Sequence, residues 1–283
     1  MSAPIPRRII QTSKSLDLTL LEQAAVANVR LLNPDFEYMF FDNQQVEDFF
    51  SHEYPQYRHV FESFAVPIEK YDFFRYLAIY RFGGFYLDMD VLLASGLSPL
   101  TAHECVFPFE RLTFNDWLRR EHGMDWDVGN YAFGAVAGHP FLKAVIDNCV
   151  RAQRDSTWAN DMGRWIPAMF REELGVLYTT GPWLVSRTLA EFADAPERVK
   201  ILFPNDVCNE ESWNRFGSVG VHLMAGSWRR HGHMRRRLQN YWEVWKTNAN
   251  LREGRKLGKS RSLEVHLQDN GSNARLADTT VGP

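Results

Sequence analysis

Three cysteines are all that this chain of 283 residues carries, and Cys105, Cys149 and Cys208 are dispersed with no paired spacing. That excludes a disulfide framework or a thiolate metal site and reads as reduced core thiols in a cytoplasmic protein. No run approaches the ~18 apolar residues of a membrane span, and no secretory leader opens the chain. Neither charge dominates. The 32 Lys and Arg stand against 35 Asp and Glu, a net charge of −3, which gives no electrostatic case for nucleic acid as a partner. No internal repeat is found. Large apolar residues run out near Asn250, and Leu251 to Pro283 is rich in Gly, Ser, Asn, Lys and Arg. Such a segment buries too little to fold alone. Residues 1–249 therefore read as one domain and 250–283 as a polar tail, in which Leu263 to Leu267 could dock as a short strand.

The remainder can build a core, since 45% of residues are hydrophobic and 14% aromatic. Arg8 to Thr12 reads as a first strand. Leu16 to Leu32 reads as an amphipathic helix stopped by Asn33-Pro34, and Phe36 to Phe41 as a second strand. Short helices follow from Gln44 to about Phe64. Glu104 to Glu110 and Tyr131 to Ala137 read as later strands, and the polar stretch Arg111 to Val128 as a loop or lid. Thr157 to Glu173 reads as a helix broken by Pro167. Arg235 to Thr247 reads as a last helix, which Trp242 and Trp245 pack onto the domain. Alternation of this kind predicts an α/β fold, a mainly parallel sheet flanked by helices. Such sheets bind ligands at the carboxyl ends of their strands.

The most informative stretch is Arg81 to Val91, which joins a helix stop, a short apolar strand and two acids, Asp88 and Asp90. Strand side chains alternate faces, so the two carboxylates converge and Met89 turns away. They repel unless a proton or cation sits between them. Hard oxygen ligands favour Mg²⁺ or Mn²⁺. Upstream, Pro67 fits a first helical turn and Ile68, Tyr71, Phe74, Leu77 and Ala78 recur at helical spacing up to Gly83-Gly84. Asp72 and Arg75 are three apart and share a face. They read either as a surface ion pair or as a carboxylate and guanidinium that look across at Asp88 and grip ligand hydroxyls.

The run from Lys70 through Asp72, Arg75, Gly83, Gly84 and Tyr86 to Asp88 and Asp90 resembles the signature of the DxD-motif sugar transferases. These include fungal α-mannosyltransferases, bacterial capsular polysaccharide enzymes and clostridial glucosylating toxins. Ile5 to Thr12, Asn33 to Asp42, Thr180-Gly181-Pro182 and His222 to Trp228 are similar to its other landmarks, although Ser13 stands where an aromatic often follows the Thr. The resemblance covers roughly residues 5 to 245. It implies a Rossmann-like single domain of the GT-A type and a metal-dependent, retaining glycosyltransferase. A sugar would pass from a UDP- or GDP-sugar to a glycan, lipid-linked or protein acceptor, as in polysaccharide biosynthesis. Asp88, Asp90 and His222 would hold Mn²⁺ or Mg²⁺. Gln11, Thr12, Asp72, Arg75, Tyr86, Asp88, Ser227 and Trp228 would bind the donor, with Asp88, Asp90, Arg75 and Trp228 catalytic. Fungal relatives carry a membrane anchor, so its absence here favours a bacterial, cytoplasmic enzyme.

Plainer roles compete at several positions. His222 lies in an apolar strand, where a hydrogen-bonded core histidine is common. Tyr86 can pack the core or meet the donor, and Asn130 fits turn chemistry beside Gly129 better than a polar contact on the acceptor side. The arginines at 229, 230 and 235–237 form either a solvated face or a contact with phosphates at the inner surface of a membrane. Two other classes remain. Some phosphohydrolases use Asp-x-Asp at a strand end, but they carry Thr or Val where Leu92 stands and a later acidic motif that this chain lacks. The other is a non-catalytic module that binds sugar nucleotides.

Overall fold

The computed structural model describes residues 4–192, 198–224 and 233–256. The chain opens with strand β1 (Arg8–Thr12) and helix α1 (Leu20–Leu32). Thr19 caps α1 in a capping box with Glu22, so the helix starts later than the apolar pattern alone suggests. Strand β2 (Glu37–Phe41) follows, then helices α2 (Asn43–His52) and α3 (Arg58–Ser63). Helix α4 (Pro67–Phe82) leads into strands β3 (Gly84–Leu87) and β4 (Val91–Leu93). Next come β5 (Cys105–Leu112), α5 (Asp116–His122), β6 (Trp126–Val128) and β7 (Ala132–Ala135). Helices α6 (Pro140–Arg154), α7 (Ser156–Asp161), α8 (Arg171–Thr179) and α9 (Pro182–Glu191) form one block. The chain continues through β8 (Val199–Leu202), β9 (Arg215–Phe216), β10 (Gly220–His222) and α10 (His233–Lys256).

The α/β architecture expected from the alternation is the one found. The main sheet has the order β2-β1-β3-β7-β5-β6, with β8 on the other side of β5. β1 pairs in parallel with β2 and β3, and β5 with β8; β7 enters antiparallel between β3 and β5, so the sheet is mixed. The carboxyl ends of β1, β2 and β3 therefore share one edge. A second, antiparallel sheet, β4-β10-β9, sits against that edge.

Alternation divides the core. Tyr86 and Phe133 face a large aromatic cluster with Phe73, Phe74, Phe107 and Trp183, whereas Phe85 and Leu87 face a smaller one with Val29 and Phe36. Each such side chain contributes about 1.5–3 kcal/mol on burial. Helix α4 is buried continuously from Asp72 to Ile79. A helix enclosed on all sides is central, not amphipathic.

Three expectations need correcting. The stretch from Arg111 to Val128 is no polar loop: Asn115 caps α5, Trp126 starts β6, and Phe114, Leu118 and Trp126 are buried. The last helix runs on to Lys256, across the boundary read at 249/250. Trp242 packs against Phe114 and Trp165, but Trp245 is exposed. Residues 257–283, including the short strand expected at 263–267, lie outside the described residues.

The hinge between α4 and β3 depends on two glycines. Gly83 accepts a φ of 64° and donates its N–H to the Ile79 carbonyl. Gly84 has a φ of 108°, and a Cβ there would stand 2.6 Å from the Arg8 carbonyl oxygen in the neighbouring strand. Gly84→Ala is expected to cost about 2–3 kcal/mol of stability. Urea denaturation checks this, and an unchanged midpoint would refute it.

Candidate active site

Asp88 and Asp90 do not alternate along a strand. β3 ends at Leu87 and β4 begins at Val91, and the acids occupy the turn between them, closed by the Val91 N–H on the Asp88 carbonyl at 3.1 Å. Their convergence comes from that turn rather than from the pleat. His222 arrives from more than a hundred residues away because β10 pairs antiparallel with β4, setting His222 opposite Val91. Its Nε2 lies 3.2 Å from Asp90 Oδ1, and its ring stacks on Tyr131 at 4.4 Å. Single ligand atoms of Asp88, Asp90 and His222 all fall within 4.8 Å of one another.

Beneath this trio lies a buried polar network. Arg75 forks onto Asp88, with one guanidinium nitrogen 3.1 Å from Oδ1 and the other 3.3 Å from Oδ2. It also meets Asp72 Oδ1 at 3.2 Å and donates to the Asn130 carbonyl at 2.9 Å. The Tyr86 hydroxyl donates to Asp88 Oδ1 at 2.9 Å, and the Tyr86 ring supports the guanidinium at 4.7 Å. Asp72 accepts from the Asn130 amide at 3.2 Å and the Thr180 hydroxyl at 2.9 Å. Tyr76 completes the set, accepting from Asn130 and donating to the Thr180 carbonyl.

Exposure separates the two layers. The side chains of Asp88, Asp90 and His222 are 23, 19 and 18% exposed, whereas Asp72 and Arg75 are both at 4%. Asp72 and Arg75 do share a face, but it points into the core. With both Asp72 oxygens engaged inside the protein, direct contact with a ligand is closed in this arrangement. Gln11 and Thr12 reach the expected edge, yet Gln11 is buried and accepts from the Tyr38 hydroxyl, and Thr12 donates to the Phe41 carbonyl. Tyr86 is buried as well and acts on Asp88 instead of facing the opening. Ser227 and Trp228 lie outside the described residues.

Two participants are not what the sequence suggests. Asn130 reads as a turn residue, yet its amide and carbonyl join Asp72, Arg75 and Tyr76. A cavity of about 260 Å³, lined by Asn43, Glu47, Phe64, Lys70 and Tyr71, opens between α2, α3 and the start of α4. It lies at the same sheet edge as the acids, because Asn43 follows β2 and α4 runs back antiparallel to β3. Nothing in the spacing of these residues marks it.

Electrostatics follow from burial and charge. Burial raises the Asp72 carboxyl to about 7 against the opposing pulls of Arg75 and Thr180. Burial also raises Asp88, opposed by Arg75 and reinforced by Asp90. For His222 burial acts downward, but the hydrogen bond and charge of Asp90, with Asp88 behind it, hold the imidazole above its ordinary value. Two carboxylates and an imidazole fit a divalent cation by donor chemistry. The buried Nδ1 of His222 has no hydrogen-bond partner, which leaves Nε2 as the nitrogen facing the acids.

Residues 21–107, which include both acids, match the family model described as a glycosyltransferase sugar-binding region containing a DXD motif. The resemblance to the DXD-motif sugar transferases holds. Over 243 residues, 80% of the chain, it is 29% identical to inositol phosphoceramide mannosyltransferase 3 of Schizosaccharomyces pombe, covering 61% of that protein. A mannosyl phosphorylinositol ceramide synthase of Saccharomyces cerevisiae is 32% identical over 142 residues, half of this chain and 34% of that one. The chain thus spans between a third and two-thirds of the length of these relatives. Among solved structures, the PaToxG glycosyltransferase aligns over 66% of this chain and 69% of its own, at 14% identity and a TM-score of 0.44. The UDP-bound glycosyltransferase domain of the YGT toxin aligns over 71% and 80%, at 9% identity and 0.46.

Two outcomes are expected from the buried layer. Arg75→Lys keeps the charge but cannot span Asp72, Asp88 and Asn130 with a planar fork. It should cost about 3 kcal/mol in denaturant unfolding, near the cost of breaking a buried ion pair. A loss below the error of the measurement would refute the bridging role. The raised pKa of Asp72 means that the folded protein keeps this proton at pH values where the unfolded chain, near 3.8, has lost it. Stability therefore falls as pH rises from about 4 to about 7, by up to about 1.4 kcal/mol per pH unit from this group. Asp72→Asn should remove that component, and parallel stability–pH curves for the two proteins would overturn the assignment.

Proposed function

We propose that this chain is a glycosyltransferase that takes a sugar from a nucleotide-sugar donor, and that Asp88, Asp90 and His222 form its metal-binding centre. The observation that carries this reading is the convergence of those three side chains at the carboxyl edge of the sheet, with Asp88 and Asp90 inside the matched region and His222 brought to them from outside it. The names of the relatives support mannose as the sugar and an inositol phosphoceramide-like lipid as the acceptor. Retention of configuration, giving an α-linkage, rests on the family resemblance.

Asp90 and His222, which already meet at 3.2 Å, would hold a divalent cation directly. Asp88 has both oxygens held by Arg75 and Tyr86 and would complete the shell through water. A cation bound there supplies Lewis-acid neutralisation of the charge on the leaving diphosphate. Arg75 and Tyr86 fix the Asp88 carboxylate so that little reorganisation remains when the donor binds. The cavity beside Tyr71 would take the nucleoside, with Lys70 at its rim. The Arg75 fork also weighs against the phosphohydrolase reading, because a carboxylate engaged at both oxygens is a poor nucleophile.

Incubation of the purified chain with GDP-mannose and, in parallel, UDP-sugars should release nucleoside diphosphate only when Mn²⁺ or Mg²⁺ is present. Asp90→Asn should lower that release about 100-fold or more, the scale of losing a key electrostatic contact in a transition state. His222→Ala should raise the Mn²⁺ concentration needed for half-maximal rate. Metal-independent release, or Asp90→Asn at full rate, would remove the proposal. Phosphate release from simple phosphoesters would favour the hydrolase.

A further inference from the structure

Helix α10 fixes one face to the body and leaves another bare. Trp242 sits against Phe114, Trp165 and Phe170, Gln239 is buried, and Lys246 reaches Asp116 at 3.1 Å. These residues recur at spacings of three and four and define the anchored side. Leu238, Tyr241 and Trp245 also recur at three and four, on a different side, and they are 49, 77 and 64% exposed. Val244 beside them is 57% exposed. Four large apolar side chains on one helical face form a patch that water does not favour.

The surroundings of the patch identify what would cover it. Between His233 and Lys256 lie seven of the chain's 32 Lys and Arg but two of its 35 Asp and Glu. The chain as a whole is slightly acidic, so this excess is local. Arg237 and Arg252, near either end of the patch, are exposed. An apolar, aromatic stripe bordered by arginines is the composition of a helix that lies in a lipid interface, rings at headgroup depth and cations on phosphates. Among the described residues no helix is long and apolar enough to cross a membrane, which leaves contact with a surface rather than a span.

We propose that α10 docks the protein on an anionic membrane surface, with Leu238, Tyr241, Val244 and Trp245 inserted among the headgroups and the arginines paired with lipid phosphates. The inference rests on the helix and not on the transferase reading, although it would bring a lipid acceptor near the site. Residues 225–232 alone join Met224, two residues beyond His222, to the first residue of α10.

Sedimentation of the full chain with vesicles of phosphatidylcholine, with and without phosphatidylserine, tests it. The chain should pellet with the anionic vesicles, and raising the salt concentration should weaken that binding. The pair Tyr241→Ser and Trp245→Ser, both exposed and so compatible with an unchanged thermal melt, should weaken it about tenfold or more. Leu20→Ser, at an 83% exposed position on α1, should leave it unchanged. Nucleoside diphosphate release in solution should be the same in all of these proteins, so the failure of one proposal does not disguise the failure of the other. No binding by the unaltered chain, or full binding by the serine pair, would overturn the proposal. Light scattering that shows a dimer abolished by the serine pair, without vesicle binding, would assign the face to a second copy. Vesicle binding gained only on truncation after Lys256 would assign it to residues 257–283.

Discussion

The Arg75 guanidinium is the interaction on which the rest of the site depends. A full positive charge at 4% exposure survives only because Asp72 and Asp88 flank it, the Asn130 carbonyl accepts from it and the Tyr86 ring lies under it. Its partners come from α4 itself, from the end of β3 and from the turn before β7, and through Asp72 the bond reaches Thr180 between α8 and α9. Charge neutralisation in the core therefore fixes the relative positions of four chain segments. The same bonds set where the Asp88 carboxylate points.

The site has an inner and an outer layer with different physical tasks. The inner layer, Asp72, Arg75, Tyr76, Asn130 and Thr180, is densely hydrogen-bonded and sealed from water, although Arg75 Nε is left without a partner, and burial raises its Asp72 carboxyl to about 7. The outer layer, Asp88, Asp90 and His222, keeps part of its surface open, and Asp88 and His222 in it both have raised proton affinities. Asp88 belongs to both, since the inner layer holds its oxygens from behind while its remaining surface faces the opening. Groups aimed in advance in this way need little rearrangement when charge develops beside them.

Much of this was legible in the chain. The helix stop at Gly83-Gly84, the short apolar strand and the paired acids were readable from residue type and spacing, whereas the apolar pattern carried the first helix back to Leu16, past the Thr19 and Glu22 capping pair that starts it. Other parts were not. A spacing of three shows that Asp72 and Arg75 share a helix face but says nothing of where that face points. The apolar run Phe73-Phe74 and Tyr76 to Ile79, interrupted only by Arg75, was the available sign that α4 is enclosed. Asp-x-Asp suggests strand alternation, and only the tertiary structure shows a turn. Arg111 to Val128 reads as a loop because charged and polar residues interrupt its apolar ones throughout, yet Phe114, Leu118 and Trp126 are the side chains that decide its fate. Trp242 and Trp245 are alike in type, and three-dimensional packing alone distinguishes the buried ring from the exposed one.

The ladder between β4 and β10 gives the centre a particular vulnerability. His222 reaches Asp90 because Gly220 to His222 pairs with Val91 to Leu93, a register that the Leu223 N–H extends by donating to the Asp90 carbonyl at 2.9 Å. During synthesis both acids leave the ribosome long before their third partner exists, and a nascent chain that stops short of β10 has a carboxylate pair with no imidazole. Completion of this centre thus depends on nearly the whole polypeptide, through backbone pairing that runs up to the acids themselves.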